Sequence, residues 1–173
     1  MITLALDAST YVGTVAVIRD RELLAEGSTA MRGAEREGLM PAVNDAIERA
    51  GVDVRSLDRI VCGAGPGSFT SLRIAGSIAK GLALALDRPL FAVSSLALVV
   101  AGAPRLAPGK YLAVLDVLRG EVYVGAYLLE QGGGILEIEA PYLASSSEVS
   151  AIASAFRAQP VGPDQQIAAA PHA

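Results

Sequence analysis

The chain has 173 residues, of which 52% are hydrophobic and 18% charged, and its formal net charge is −4. That length supplies one ordinary domain or two small, closely packed lobes, and the apolar excess predicts oligomerisation, with nonpolar surface covered by another chain. The acidic balance, the lack of tryptophan and the scarcity of aromatics argue against direct, strong nucleic-acid binding, so that any RNA role is expected to be indirect. Lys80, Asp87 and Arg88 interrupt the longest apolar run before it reaches the ~20 residues of a membrane span.

Along the chain, Ile2 to Ala8 reads as a strand. A second, Thr14 to Ile18, follows across Tyr11-Val12-Gly13, and a third, Glu22 to Thr29, follows the polar turn Arg19-Asp20-Arg21, so the opening is predicted to be a three-strand meander. From Glu37 to Ala50 the residues Leu39, Val43, Ile47 and Ala50 recur at helical spacing, and Gly51 stands where a helix stops, which predicts an amphipathic helix with Pro41 in its first turn. Ile60 to Ala64 is a short strand, Thr70 to Leu86 a second helix and Pro89 to Val93 a further strand; Ser94 to Ala103 fits one more short helix. The order β-β-β-α-β-α-β is an α/β pattern whose last two strands form a parallel crossover. Pro104 to Gly109 reads as a joint, dividing a first lobe, 1–103, from a second, 110–173.

Beyond the joint the beginning repeats. LALDASTYVGTVAVI (4–18) and AVLDVLRGEVYVGAY (113–127) both run strand, aspartate, polar turn, strand, with Asp7 and Asp116 in equivalent places. A third strand, Ile135 to Leu143, and a helix, Ser147 to Phe156, follow, and then at most a short strand at Val161 before a low-complexity tail. The pattern suggests a duplicated half-fold whose second copy is short, although any two hairpins look alike.

The loop GAGPGSFTSLRIAG (63–76) lies between strand and helix, where free N–H groups and the helix dipole favour anions. It fails the Walker pattern, because Ser68 and Phe69 follow Gly67, and it fails the dinucleotide fingerprint, because Ser68 occupies the third glycine position. Its residues suit a structural purpose: Pro66-Gly67 to turn, Ser68 or Thr70 to cap, Phe69 to pin the loop on the core, and Arg73 to meet a carboxylate or carbonyl. Gly76 and Gly81 each cost about 1 kcal/mol in a helix interior, so a close neighbour, internal or from another subunit, is expected to offset them.

Catalytic tools are few. His172 lies in the tail, Cys62 lies inside a strand without a histidine partner, and no metal or cofactor is expected. With a single cysteine and no basic segment ahead of its first apolar residues, the chain suits a reducing cytoplasm. Asp7 and Asp116, with Ser9 and Thr10 beside the first, fit either a magnesium–nucleotide cleft or plain hairpin turns. Val117-Leu118-Arg119 lacks the hydroxyl side chains that Ser9 and Thr10 provide after Asp7.

GAGPGSFTSLRIAGSIAKGLALAL resembles the signature of the bacterial TsaB (YeaZ-type) family, of the form G-x-GPGSFTG-[LV]-R-[IV]-G, centred here on Gly65, Pro66, Gly67, Ser68, Phe69, Thr70 and Arg73. LALDASTYVGTVAV and DVLRGEVYVGAY match its two hairpins, and the similarity runs over roughly residues 1–145. The resemblance implies a duplicated actin-like (RNase H-like) α/β fold. It also implies a non-catalytic partner of a TsaD-like subunit that makes N6-threonylcarbamoyladenosine at position 37 of tRNA, joined by a TsaE-like ATPase, with a homodimer when alone. It places the partner interface on the two helices, at Leu39, Val43, Ile47 and Ala50 and at Ile74, Ile78 and Leu82. An ATP-dependent phosphotransferase or ATPase of the same fold using Asp7 and Asp116 is the alternative, and a stand-alone homodimeric binding module a third. Ser71 and Ala75 depart from the family's usual glycines, and MRGAEREGLMP (31–41) carries no histidine where TsaD has its metal-binding H-x-x-x-H.

Overall fold

A computed structural model describes residues 1–32, 37–103, 106–117 and 119–163. It divides into two compact units, Met1–Val93 and Ser94–Ala173. In the first, β1 (Ile2–Asp7), β2 (Val12–Arg19) and β3 (Glu22–Ala30) form the predicted meander, followed by α1 (Leu39–Arg49), β4 (Arg59–Gly63), α2 (Phe69–Leu86) and β5 (Leu90–Val93). The sheet order is β3-β2-β1-β4-β5, with β4 parallel to both β1 and β5.

Strand alternation sets the core. Leu4 and Leu6 of β1, Val15 and Val17 of β2 and Ile60 and Cys62 of β4 share one face and pack with α1 and α2. Helix α1 turns Leu39, Val43, Ala46 and Ile47 onto this face, a spacing of four, three and one that fills a single stripe. Glu37 closes its N-terminus by accepting the N–H of Leu39 and, at 3.3 Å, that of Met40.

This placement corrects the interface expected on α1. Leu39 and Val43 are wholly buried and Ile47 nearly so, all against the chain's own strands, and Ala50 at the helix end is packed against the same core. A helix with one apolar stripe cannot turn it both to its sheet and to a partner.

In the second unit α3 (Ser95–Gly102) is followed by β6 (Gly109–Asp116), β7 (Glu121–Leu129), β8 (Ile135–Ser145), α4 (Val149–Phe156) and β9 (Gln159–Val161). The sheet order β8-β7-β6-β9, with β9 parallel to β6, repeats the order β3-β2-β1-β4 of the first unit. The duplicated actin-like plan is therefore present in the strand pairing itself. Helix α3 covers one face, placing Leu96 and Val100 on Tyr111, Ala113, Leu115 and Tyr127; α4 covers the other, over Leu112, Val114 and Val124. Because its apolar side chains meet β6 and β7, α3 groups with the second unit and the division falls at Val93/Ser94, ahead of the joint expected at 104–109. Residues 104 and 105 of that joint, and the tail from 164 onward with His172, lie outside the described residues.

Candidate functional site: the glycine loop and the outer face of α2

The turn between β1 and β2 is closed by side chains. Asp7 Oδ2 accepts from the N–H of Ser9 at 3.0 Å and from its hydroxyl at 2.6 Å, while Thr10 Oγ1 donates to the Val12 carbonyl at 2.8 Å and accepts the Val12 N–H at 3.1 Å. These bonds make the turn tighter than the sequence suggested, so that β2 begins at Val12. The Ser9 carbonyl, thus aimed, accepts the N–H of Ser68 at 2.9 Å.

The glycine loop fits against this turn. Gly65 has φ +87°, in the region that favours glycine. A Cβ at Gly67 would collide with the Ser9 carbonyl oxygen and lie 2.6 Å from Ser9 Cα. The first N–H of the helix entrance is thus committed to the hairpin. Ser68 does occupy the N-cap of α2, but its side chain makes no cap bond and instead accepts the Ser71 hydroxyl at 3.0 Å. Two further expectations are corrected: Phe69 is 68% exposed instead of pinning the loop, and Arg73 lies with its guanidinium 4.1 Å from the Phe69 ring centroid, a cation–π contact in place of the expected polar partner. Replacing Gly67 by alanine is expected to lower stability by about 2 kcal/mol or more, read as a drop in urea midpoint; an unchanged midpoint would show that the hairpin does not bear on the loop.

Asp7 and Asp116 are not equivalent. Asp7 pairs with Thr14, and alternation along β1 puts it opposite Leu4 and Leu6, on the face turned away from α1. Asp116 pairs with Val122 and shares its face with Leu112 and Val114, the side on which α4 packs. The shared strand–aspartate–turn pattern conceals a one-residue change of pleat. Leu118 of the second turn, and residues 33–36 of the segment Met31–Pro41, lie outside the described residues.

Cys62 is buried at 7% exposure, and its thiol faces the Gly63 carbonyl at 3.4 Å. Burial, with a further contribution from the Asp7 charge, pushes the thiol up to about 11 from an ordinary 9.0, which keeps it a protonated hydrophobe at neutral pH. The folded thiol therefore holds its proton where the unfolded one has released it. Its contribution is complete below pH 9 and falls as the pH rises towards 11, by on the order of 2 kcal/mol. Cys62→Ala should flatten urea midpoints across that window; an unaltered slope would assign the loss elsewhere, with Tyr127, also raised by burial, the first candidate.

Helix α2 has 18 residues and a mean hydropathy of 1.3, long and apolar enough by composition to cross a membrane. Its contacts instead place it on β4 and β1. The buried stripe is made of small residues, Ser71, Ala75, Ala79 and Ala83, which bring the helix close to the sheet and leave the bulkier side chains outside. Ile74, Ile78 and Leu82, expected at the interface, are half-buried along the flank. With Glu37, Phe69, Thr70, Arg73 and Ser77, the first two line an open groove of about 400 Å³.

The outermost ridge carries Phe69 and Leu84, 68% and 73% exposed, with Ser77, Lys80 and Gly81 between them. Among the described residues nothing lies within 4 Å of a Cβ built at Gly76 or Gly81, so none of them offsets these glycines. The sequence reading missed Leu84, Lys80 and the outward turn of Phe69. The signal was available: four small residues at i, i+4 spacing in an otherwise bulky helix mark the side that meets a sheet.

A family model described as TsaD, tRNA N6-adenosine threonylcarbamoyltransferase, matches residues 31–160. The chain is 36% identical over 132 residues to the tRNA threonylcarbamoyladenosine biosynthesis protein TsaB of Bacillus subtilis, covering 76% of this chain and 57% of that protein. With the protein of the same name from Escherichia coli it shares 34% over 131 residues, covering 75% and 56%. The chain thus spans little more than half the length of these relatives. Among solved structures, YeaZ from Pseudomonas aeruginosa superposes with a TM-score of 0.75 at 34% identity, covering 84% of this chain and 68% of that one. Hairpins, glycine loop and paired sheets thus agree with the matches in sequence and in structure, and the chain belongs to the TsaB (YeaZ-type) family.

Proposed function

We propose that this protein is a non-catalytic partner subunit of a TsaD-like enzyme making N6-threonylcarbamoyladenosine on tRNA, docking through the outer face of α2. The observation that carries the reading is the bare ridge from Phe69 to Leu84, apolar at both ends and open over Gly81. Such a surface is costly to leave in water and suits the close approach of another helix. Each large apolar side chain covered there contributes about 1.5–3 kcal/mol before ordering costs. A TsaE-like ATPase is a further partner of the assembly, the setting is the cytoplasm, and a second copy of the chain is the occupant when the TsaD-like subunit is absent.

The residues that carry chemical groups support a supporting role. Asp7 orients Ser9, Ser9 holds Ser68, and Cys62 is buried and protonated. The phosphotransferase alternative needs Asp7 and Asp116 to act as a matched pair, and their opposite pleats weigh against it. Calorimetry with Mg-ATP separates the two readings: binding that Asp7→Asn removes would favour the enzyme.

The interface itself is tested at Gly81. Replacing it by leucine fills the open space and improves helix propensity by somewhat under 1 kcal/mol. The isolated chain should therefore melt at the same or a higher temperature, while affinity for the TsaD-like subunit of the same organism falls at least about tenfold, a loss of about 1.4 kcal/mol. Undiminished affinity would remove α2 from the interface. Val43→Asp is unsuitable here, because it would place a charge in the core and unfold the first unit.

A further inference from the structure

The two units repeat their strand order but not their helix cover. In the first unit α1 follows the third strand of the meander and lies over β3 and β2. Helix α4 follows β8 at the same point of the second unit, yet it is seated on β6 and β9. It is also shorter, 8 residues against 11. Among the described residues, the seat over the edge strand that α1 fills in the first unit therefore has no helix in the second.

That seat is apolar at both ends. The register sets Leu136 opposite Leu128, Glu139 opposite Ala126 and Tyr142 opposite Val124, so these side chains share the face of Val122 and Val124 on which α4 packs. Leu136 is 51% and Tyr142 37% exposed. Their partners are four residues apart on β7, which puts the two about 13 Å from each other, with Glu139 midway. A helix covers that distance in about two and a half turns. A further strand does not suit the edge: β8 has 11 residues against 9 in β7, and the register breaks leave Ile138 and the pair Ala140-Pro141 outside the ladder. Bulges and a proline blunt an edge against strand addition.

The charge of the strip selects what covers it. From Gly120 to Phe156 the acids are Glu121, Glu130, Glu137, Glu139 and Glu148, and there is no lysine or arginine. The ion pairs among the described residues, Met1 with Asp20 and Arg49 with Asp45, engage none of them. Glu148 accepts the Ser145 N–H at 3.0 Å, and Lys110 is on the same face only on β6, two strands from Leu136. Such a field repels anionic lipid and nucleic acid and attracts an apolar element that carries cations.

We propose that the strip between α4 and the edge of the second sheet docks an amphipathic, basic helix of another protein. Two apolar side chains of that helix, about two turns apart, cover Leu136 and Tyr142, and a lysine or arginine between them meets Glu139. The strip belongs to the second unit and does not depend on the reading of α2 as an interface.

The probe is a synthetic helical peptide of alanine, leucine and lysine, with two leucines about two turns apart and a lysine between them on the same side. Its control carries glutamate in place of lysine. In amide NMR of the full chain the lysine peptide should shift signals of β7, β8 and α4, with a dissociation constant that rises at least about tenfold from about 0.05 M to about 0.5 M NaCl. The control should not bind. Glu139→Lys should weaken the lysine peptide at least about tenfold and remove its salt dependence. Tyr142→Ser should weaken it by a similar factor without altering the salt dependence, with melting temperatures within a few degrees of wild type; Leu136→Ser replaces Tyr142→Ser should that variant melt early. Absence of saturable binding, equal binding of both peptides, or shifts confined to other elements would overturn the proposal. So would self-association of the chain in sedimentation runs that Leu136→Ser abolishes, which would assign the strip to a second copy.

Discussion

Asp7 receives both the N–H and the hydroxyl of Ser9, and Ser9 in turn offers its carbonyl to the N–H of Ser68, with Gly67 pressed so closely against it that no side chain fits. This run of contacts joins the tip of the first hairpin to the entrance of α2, and the position of the helix depends on it. The hairpin tip is tied by the side chains of Asp7 and Thr10, and the loop is glycine-rich because two stretches of backbone must touch. An N–H that in other strand–loop–helix units faces a phosphate here faces a carbonyl of the same chain.

With its entrance held, α2 is positioned by what it lacks. Alanine and serine at 71, 75, 79 and 83 let the helix settle close over β4 and β1, and close seating leaves no room beneath it for Phe69, Ile74, Ile78 or Leu84. The apolar side chains that give the helix its high mean hydropathy are thereby placed on its flank and outer ridge. Helix α1 shows the opposite solution: Leu39, Val43 and Ile47 fill the space over β2 and β3, and polar residues face out. Two helices on one sheet thus divide the work, one completing the core and the other presenting surface.

Much of this was legible in the sequence. Among the described residues the strands and α-helices lie within a few residues of where they were predicted, because alternation in β1 and β2, the 3.6-residue period of α1 and the polar turn at Arg19-Asp20-Arg21 are local signals, whereas the short 3-10 turns at Val54–Ser56 and Ser146–Glu148 were not foreseen. The glycine loop does turn the chain against the first hairpin, through the Ser68 N–H on the Ser9 carbonyl, but without the expected side-chain cap or Phe69 pin. What escaped was directional. Periodicity shows that Leu39, Val43 and Ile47 share a side but not whether that side meets the chain's own sheet or a neighbour, and the small residues of α2 left the same choice open, which the structure decides in favour of the sheet. Pleat was equally hidden, since a one-residue offset between Asp7 and Asp116 leaves both hairpins looking alike as text. The placement of α3 depends on side chains of β6 and β7 that follow it, which no local pattern reports.

The duplicated plan clarifies what such a chain can do. Strand order and parallel closure are kept in both units, β1 with β4 and β6 with β9, because hydrogen-bonded ladders tolerate change only as a whole. Chemistry at the strand ends is less protected. A shift of one residue at the end of β6 leaves every ladder bond available while turning Asp116 to the other face, so paired carboxylates can be lost without disturbing the fold. Surface chemistry on α2 is under a different constraint, since Phe69, Lys80 and Leu84 on its outer side are exposed and are not fixed by packing in the core. A duplicated scaffold of this kind can let its strand ends diverge between the two half-folds and still hold the exposed side of α2 in a fixed place on the sheet.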